Sequence, residues 1–471
     1  MKRILFYLFA FFFAYSIGFS QDFSGSQSSN FYGYERINIQ PAATFSSTKR
    51  FNFSVYGNLN FENNMYSVNF WDLLKGSANE SNIVKNVDGN EKNLFGSTSA
   101  GLGLSMNVNK SNAIGFSIGN RTLVNGDNFD NKIVTLIYES AIKGNDIMLE
   151  NFNQFDIEDM RFNSQSWLEL KASYARVIMD DLHFLKVGTS IKALNPLYAA
   201  SVNINEFKYT GQGDSLLYIE SIDATWSYNS ALEDVEFSSD YIKNQMFNNW
   251  TAGVDIGAVY EYRPESILEE NNRDNEPNYL LKAGFSIIDI GGIKYERASN
   301  SGSIKGSNQT INMNDYENLD SLNNNLEDFF SYNKGGSFKM SLPTSIVLEL
   351  DYRIQRRLYL NVTSLLALKQ GSSDVDKTHN LNKLIITPRY EGRYAGAMIP
   401  ISFNSVTGTN IGMIVRGGPL WFGSTNILSS MASSSNVSGG NIQFGLNIGI
   451  PYKKKSKNKE FDSEDGSIEI E

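Results

Sequence analysis

From residue 51 the chain alternates: Phe51, Phe53, Val55, Leu59 and Phe61 fall on one parity, and Asn52, Ser54, Asn58 and Asn60 on the other. A period of two puts successive side chains on opposite faces of a strand, so the segment reads as β with one apolar and one polar face. The same split returns at Leu102, Leu104, Met106 and Val108 against Gly103, Ser105 and Asn107, and at Ile114, Phe116 and Ile118 against Gly115, Ser117 and Gly119. Near the end, Ile442, Phe444, Leu446, Ile448 and Ile450 oppose Asn441, Gln443, Gly445, Asn447 and Gly449. Elsewhere the polar parity is charged: Leu168, Leu170 and Ala172 alternate with Glu169, Lys171 and Ser173, while Met340, Leu342, Ile346, Leu348 and Leu350 alternate with Lys339, Ser341, Ser345, Glu349 and Asp351. A soluble sandwich would turn the apolar face inward and a membrane barrel would turn it outward. One strand alone allows both, so the connections must decide.

Strands are expected at 49 to 61, 96 to 109, 112 to 123, 164 to 179, 182 to 195, 249 to 263, 279 to 297, 339 to 354, 357 to 369, 382 to 393, 396 to 405, 409 to 417, 419 to 428 and 440 to 452, about 14 in all. Short connectors around Lys110, Asp180, Gln355, Tyr394 and Gly418 take turns with long ones at 62 to 95, 124 to 163, 196 to 248, 298 to 338, 370 to 381 and 429 to 439. Short turns at one end and long loops at the other mark outer-membrane barrels. Two connectors break the rule: 264 to 278 is long where a turn is expected, and 406 to 408 is short where a loop is expected. Tyr260, Tyr262, Tyr352, Tyr390 and Tyr452 gather at strand ends beside the turns, where an interfacial girdle would sit. The stretch 128 to 142 has helical spacing, and 200 to 227 reads as an extra hairpin turning near Gly211 and Gly213. Both would lie outside the barrel or over its mouth.

The ends support export. Lys2 and Arg3 precede an apolar run from Ile4 to Tyr15, and small residues follow at Gly18 and Ser20, which reads as a signal peptide spanning residues 1–20. That run is shorter than the roughly 20 residues of a bilayer-spanning helix, and no later stretch approaches one. A membrane-spanning mature chain must therefore be a closed barrel, the other structure that satisfies every backbone group in lipid. With no cysteine there is no disulfide, thiol nucleophile or lipid-modified cysteine. A net charge of −10 argues against nucleic acid as a partner. No linker divides the chain, so 49–452 is read as one domain, with 21–48 before it and a charged tail, 453–471, after it. In that tail Lys453, Lys454, Lys455, Lys457 and Lys459 precede acidic residues, as in a solvated periplasmic tail.

Short motifs carry a resemblance. Asn38-Ile39-Gln40-Pro41-Ala42 leads into the first strand, and Gly284 to Gly291 reads Gly-Phe-Ser-Ile-Ile-Asp-Ile-Gly. Leu342-Pro343-Thr344-Ser345 opens a strand, and Arg416-Gly417-Gly418-Pro419-Leu420 spans a turn. On these the chain resembles the FadL-like outer-membrane barrels, in particular a Bacteroidota family of unassigned role, although FadL-type proteins carry Asn-Pro-Ala where this chain has Gln40-Pro41-Ala42. The resemblance covers the mature chain and implies a 14-stranded barrel with 21–48 folded into the lumen as a plug. It further implies a monomer that passes hydrophobic molecules sideways through the wall, or a secretion component of the PorV type.

Catalytic and metal chemistry find little support. Gly115-Phe116-Ser117-Ile118-Gly119 fits the Gly-x-Ser-x-Gly nucleophile pattern, but that motif needs a strand-to-helix turn and here it lies inside an alternating strand. His183, at a strand start on the outer face, and His379, in a loop with Asp374 and Asp376, are the two histidines, and both read as ordinary polar positions. Without cysteine, two histidines do not make a transition-metal site. Asp127 and Asp130, or Glu269, Glu270, Asp274 and Glu276, are conceivable calcium ligands that read better as solvated acidic loops. No cofactor is expected, nor any enzymatic activity.

The remaining lead is charge on the inward parity: Glu169, Lys171, Lys186, Lys192, Asp255, Glu261, Arg263, Lys339, Glu349, Asp351, Arg353, Arg389, Glu391 and Arg393. Mixed signs favour ion pairs that hold a plug over a single-sign selective pore. Two functions follow as expectations. One is an outer-membrane transporter or channel for hydrophobic or amphipathic small molecules. The other is a structural or secretion-associated barrel whose external loops, 196 to 248 and 298 to 338, bind partners.

Overall fold

The computed structural model describes residues 25–75, 77, 82–89, 91–143, 154–211, 216–229, 249–267, 277–298, 301–312, 331–334, 337–368, 376–432 and 436–451. The expected signal peptide, the tail 453–471, Tyr452, Gly213, Asp374 and the acidic group Glu269, Glu270, Asp274 and Glu276 lie outside the described residues.

Among these residues fourteen antiparallel staves form a closed barrel. They are β1 (Lys49–Asn63), β2 (Lys92–Asn107), β3 (Asn112–Phe129), β4 (Gln154–Asp180), β5 (His183–Gly211), β6 (Thr251–Tyr262), β7 (Leu281–Glu296), β8 (Ser345–Gln355), β9 (Leu358–Ala367), β10 (Lys383–Glu391), β11 (Ala395–Met398 and Ile401–Asn404), β12 (Gly408–Ile411 and Met413–Gly417), β13 (Leu420–Ser424) and β14 (Gly439–Pro451). The ring shuts where β1 pairs with β14, from Phe51 opposite Ile450 to Glu62 opposite Gly439. Closure leaves no free edge, the condition for strands to cross hydrocarbon.

Burial inverts the pattern of a soluble protein. On β3 Phe116 and Ile118 are exposed, as are Ile191 on β5, Leu348 and Leu350 on β8 and Ile442 and Ile448 on β14. The opposite parity buries Ser105, Lys171, Lys192, Asp255, Asp351, Arg389 and Asn447. Such a surface is stable only against lipid, so the barrel is of the outer-membrane type. Tyr352 and Tyr390 are exposed on the outer face beside the turns, as interfacial aromatics would be.

β4 and β5 run for 27 and 29 residues, over twice the roughly 9–11 that a tilted strand needs to cross a bilayer. Their surplus projects beyond the loop end and is extended by strands Leu216–Tyr228, Gly302–Asn312 and Ser331–Lys334. The expected hairpin is therefore a continuation of β5 into Leu216–Tyr228. Helix Asn131–Ile137, capped by the Asp130 carboxylate accepting from the Lys132 amide, packs Val134 into a cluster with Phe155, Ile157, Tyr209 and Ile304. That projecting sheet thus has an apolar core of its own.

The expected strands reappear, with two side-chain corrections. Lys339 is exposed, whereas Phe338, Met340 and Leu342 are buried. The strand breaks at Leu342-Pro343-Thr344, because proline offers no ladder donor, and the inward parity changes across the break. Arg393 is exposed in the bend between β10 and β11, where alternation has ended, and its guanidinium lies 5.3 Å from the Tyr394 ring centroid.

Candidate functional site

Charges from adjacent staves converge halfway up the wall. Arg121 on β3 donates to Asp289 on β7 through both terminal nitrogens, at 2.7 and 2.9 Å, and reaches Glu169 on β4 at 3.3 Å. Lys192 on β5 lies 2.5 Å from Asp289 and 2.6 Å from Asp255 on β6. Lys171 sits 3.1 Å from Glu169 and 3.6 Å from Asp255. Three cations thus face three anions, all buried. Burying charge is costly unless it is paired, and here the partners come from the same stave, as with Lys171 and Glu169, from a neighbouring one, as with Lys192 and Asp255, or from across the inside of the barrel, as with Arg121 and Asp289. The Arg121 guanidinium also lies over the Trp167 ring, 4.8 Å from its centroid.

A second group sits nearer the turns. Arg389 on β10 grips Asp351 on β8 at 2.8 and 2.7 Å, and Lys282 on β7 lies 2.9 Å from Glu349 and 3.0 Å from Asp351. The Tyr279 hydroxyl donates to Asp351 at 2.7 Å, and Glu391 lies 3.3 Å from Arg389. Arg353 is buried on the same face. Glu261 and Arg263 pair at 2.5 Å around the end of β6, with Arg263 stacked on Phe184.

Residues 25–48 lie against these inward side chains. Lys171 donates to Asn38 Oδ1 at 2.8 Å, and the Asn30 amide and side chain donate to Glu391 at 3.0 Å each. Ser286 donates to the Ile39 carbonyl, and Gln40 Nε2 to the Phe285 and Ala258 carbonyls, at 2.5, 3.1 and 3.3 Å respectively. Lys186 donates to the Phe45 carbonyl at 2.8 Å. Glycine permits the approach: a Cβ at Gly103 would stand 2.2 Å from the Tyr34 ring, and one at Gly188 would stand 2.4 Å from the Ala42 amide. Glu35 is fully buried with one oxygen accepting from the Gly33 amide at 2.9 Å, and burial raises its carboxyl to about 7.

Above the central network the wall turns apolar. Phe95, Leu123, Trp167, Leu194, Tyr295, Met340 and Leu342 pack together, with Leu381 and Val406 from the loops against them. Residues 376–380 cross this end: Asn125 and His379 exchange hydrogen bonds with each other's amide and carbonyl groups at 2.9 and 3.0 Å, Gln165 donates to Thr378, and Asn380 donates to the Pro343 carbonyl at 3.2 Å.

His379 Nε2 lies 3.0 Å from both Asp127 oxygens, a partner its loop neighbours did not suggest. His183 stays on the outer face, with Nδ1 2.7 Å from the Tyr260 hydroxyl. Gly115–Gly119 lies within β3, with no strand-to-helix turn to expose Ser117. Asp127 and Asp130 are separately engaged, by His379 and as a helix cap. No cluster of three or more metal-ligating side chains occurs among the described residues.

Three members of the charged groups, Arg121, Lys282 and Asp289, are absent from the inward set read from the sequence. Arg121 and Lys282 obey the parity of their own strands and were legible. Asp289 was not. It occupies an outward parity, but a register shift between Ile287 and Ile290 and a φ of 59° swing its side chain inward, as a β-bulge does.

Residues 41–425, covering most of the barrel, match a family described as a family of unknown function (DUF5723). The chain belongs to the DUF5723 family. No curated protein matches the sequence of this DUF5723 member. Several solved structures are similar to it. For the Ralstonia pickettii toluene transporter TbuX the identity is 10%, covering 89% of this chain and 94% of that one, with a TM-score of 0.39. For a Pseudomonas aeruginosa FadL homologue the values are 11%, 91%, 98% and 0.41. For the Pseudomonas putida toluene transporter TodX they are 9%, 91%, 95% and 0.34.

Proposed function

We propose that this protein is an outer-membrane channel for hydrophobic or amphipathic small molecules, with residues 21–48 serving as a plug inside the barrel. The observation that carries the reading is the seating of residues 25–48 against inward charged and polar groups of many staves, through Asn30, Asn38, Ile39, Gln40 and Phe45. These contacts are hydrogen bonds between polar groups, each worth about 0.5–1.5 kcal/mol net and about 1.5–3 kcal/mol where charged. Such bonds hold a segment firmly yet can be exchanged for water, as an opening plug requires. The apolar stretch of wall at Phe95, Leu123, Trp167 and Leu194 supports an apolar rather than an ionic cargo.

Uptake tests the reading. Cells lacking the protein should take up at least one hydrophobic compound, for example an alkylbenzene or a medium-chain fatty acid, several-fold more slowly, with recovery on complementation. Unchanged uptake of every compound tried would rule the transport reading out.

The second reading is a barrel whose external sheet binds a partner. It is favoured by the projecting strands Leu216–Tyr228 and Gly302–Asn312, which exceed what membrane crossing needs. Cross-linking on intact cells that returned no partner would count against it.

A further inference from the structure

Most buried cations among the described barrel residues have a carboxylate within ion-pairing distance; buried Lys186 and half-buried Arg36, close together near the turn end, are not among them. Lys186 on β5 is buried, and its ammonium donates to the Phe45 carbonyl at 2.8 Å, 5.9 Å from the centre of that ring. Glu261 is the acidic group that bears on it, but Glu261 is held by Arg263 at 2.5 Å. Lys282, also nearby, is neutralised by Glu349 and Asp351. The other cation is Arg36, on the N-terminal segment. Its guanidinium reaches the Asn30 side-chain oxygen at 3.4 Å, and its Nε is buried without a hydrogen-bond acceptor.

Both cations line one cavity of about 40 Å³. Ser46, Ser47 and Thr48 of the segment and Ser105 of β2 line it too and supply hydroxyl donors; the Glu261 carboxylate also lines it, its charge taken up by Arg263. A water needs roughly 10–15 Å³ of such space, so the cavity has room for a group of about three or four heavy atoms. Neither Lys186 nor Arg36 has a carboxylate in ion-pairing contact among the described residues, and an anion that accepts from both would supply that partner.

We infer that this cavity is an oxyanion site for a carboxylate or phosphate group, held between Arg36 and Lys186. Arg36 and Ser46–Thr48 belong to the N-terminal segment while Lys186 and Ser105 belong to the wall. A bound anion therefore bridges the two and tightens the seating of the segment. The site stands on the charges and the cavity, and it does not require that the barrel conduct.

The test uses the full mature chain in a non-ionic detergent. Inorganic phosphate, acetate and octanoate are titrated separately, reading thermal unfolding and protection of the N-terminal segment from protease. We expect saturable stabilisation by phosphate or acetate, reduced at least tenfold in apparent affinity by Arg36→Gln and by Lys186→Gln, and unaltered by Lys208→Gln on the projecting sheet. Octanoate binding more tightly than acetate identifies the ligand as the head of an amphipathic solute; equal or weaker binding identifies a free anion. If Lys186→Gln fails to fold, Arg36→Gln alone decides. No saturable effect of any of the three, or one untouched by Arg36→Gln in folded protein, overturns the inference.

Discussion

Asp289 on β7 receives two hydrogen bonds from Arg121 on β3, at 2.7 and 2.9 Å, across the inside of the barrel. The same carboxylate holds Lys192 at 2.5 Å, so one anion on a bulged strand ties together three staves. Its backbone nitrogen also donates to Asp255 at 2.8 Å, which fixes the bulge from the neighbouring strand.

Asp289→Asn keeps the shape and tolerates the left-handed backbone at this position, but removes the charge. Arg121 and Lys192 then remain buried with one carboxylate fewer. Breaking a buried pair this way costs about 3–5 kcal/mol. Urea unfolding of the liposome-reconstituted protein should show a loss of that size, while Lys208→Gln, in a solvent-screened ion pair on the projecting sheet, should change stability far less. Equal effects would mean that the central network contributes nothing special.

Glu35 gives a pH dependence. Its carboxyl is raised from 4.5 to about 7 by burial, so the folded state favours the protonated form. The stabilisation is fully present below the unfolded value and is lost as pH rises through about 7, on the order of 3 kcal/mol in total. Cleavage of the N-terminal segment by added protease should therefore be faster at pH 8 than at pH 5, after correction for the protease's own pH profile. Glu35→Gln should flatten that difference. A wild-type profile identical to that of Glu35→Gln would contradict the placement of this side chain.

The outer belt makes a third prediction. Ile118 and Ile191 are 42% and 62% exposed on the lipid-facing parity. Arginine at either position should destabilise the reconstituted barrel by up to about 2–4 kcal/mol, most near the bilayer midplane. The measurement is again urea unfolding in liposomes. No loss at either site would mean that this face does not meet hydrocarbon.

Much of the fold was legible because a barrel strand writes its environment twice, once on each parity. Phe116 and Ser117, or Leu350 and Asp351, declare outside and inside without reference to the rest of the chain. What stayed hidden lay where the period slips. Asp289 sits on a bulge, Lys339 precedes a proline break, and Arg393 stands in a bend, and alternation carries no information through such irregularities. The pairing of charges was hidden for a different reason. Arg121 and Asp289 are 168 positions apart, and their meeting depends on the register of the intervening staves β4, β5 and β6. The His379–Asp127 contact likewise joins the loop before β10 to the far end of β3.

The central claim, that the N-terminal segment closes the lumen, is tested most directly by single-channel recording in planar bilayers. The intact protein and a variant lacking residues 21–48 are compared at equal protein insertion. The account predicts a closed intact barrel and a clear rise in conductance on deletion. A variant that inserts, folds and remains as closed as the intact chain would contradict it.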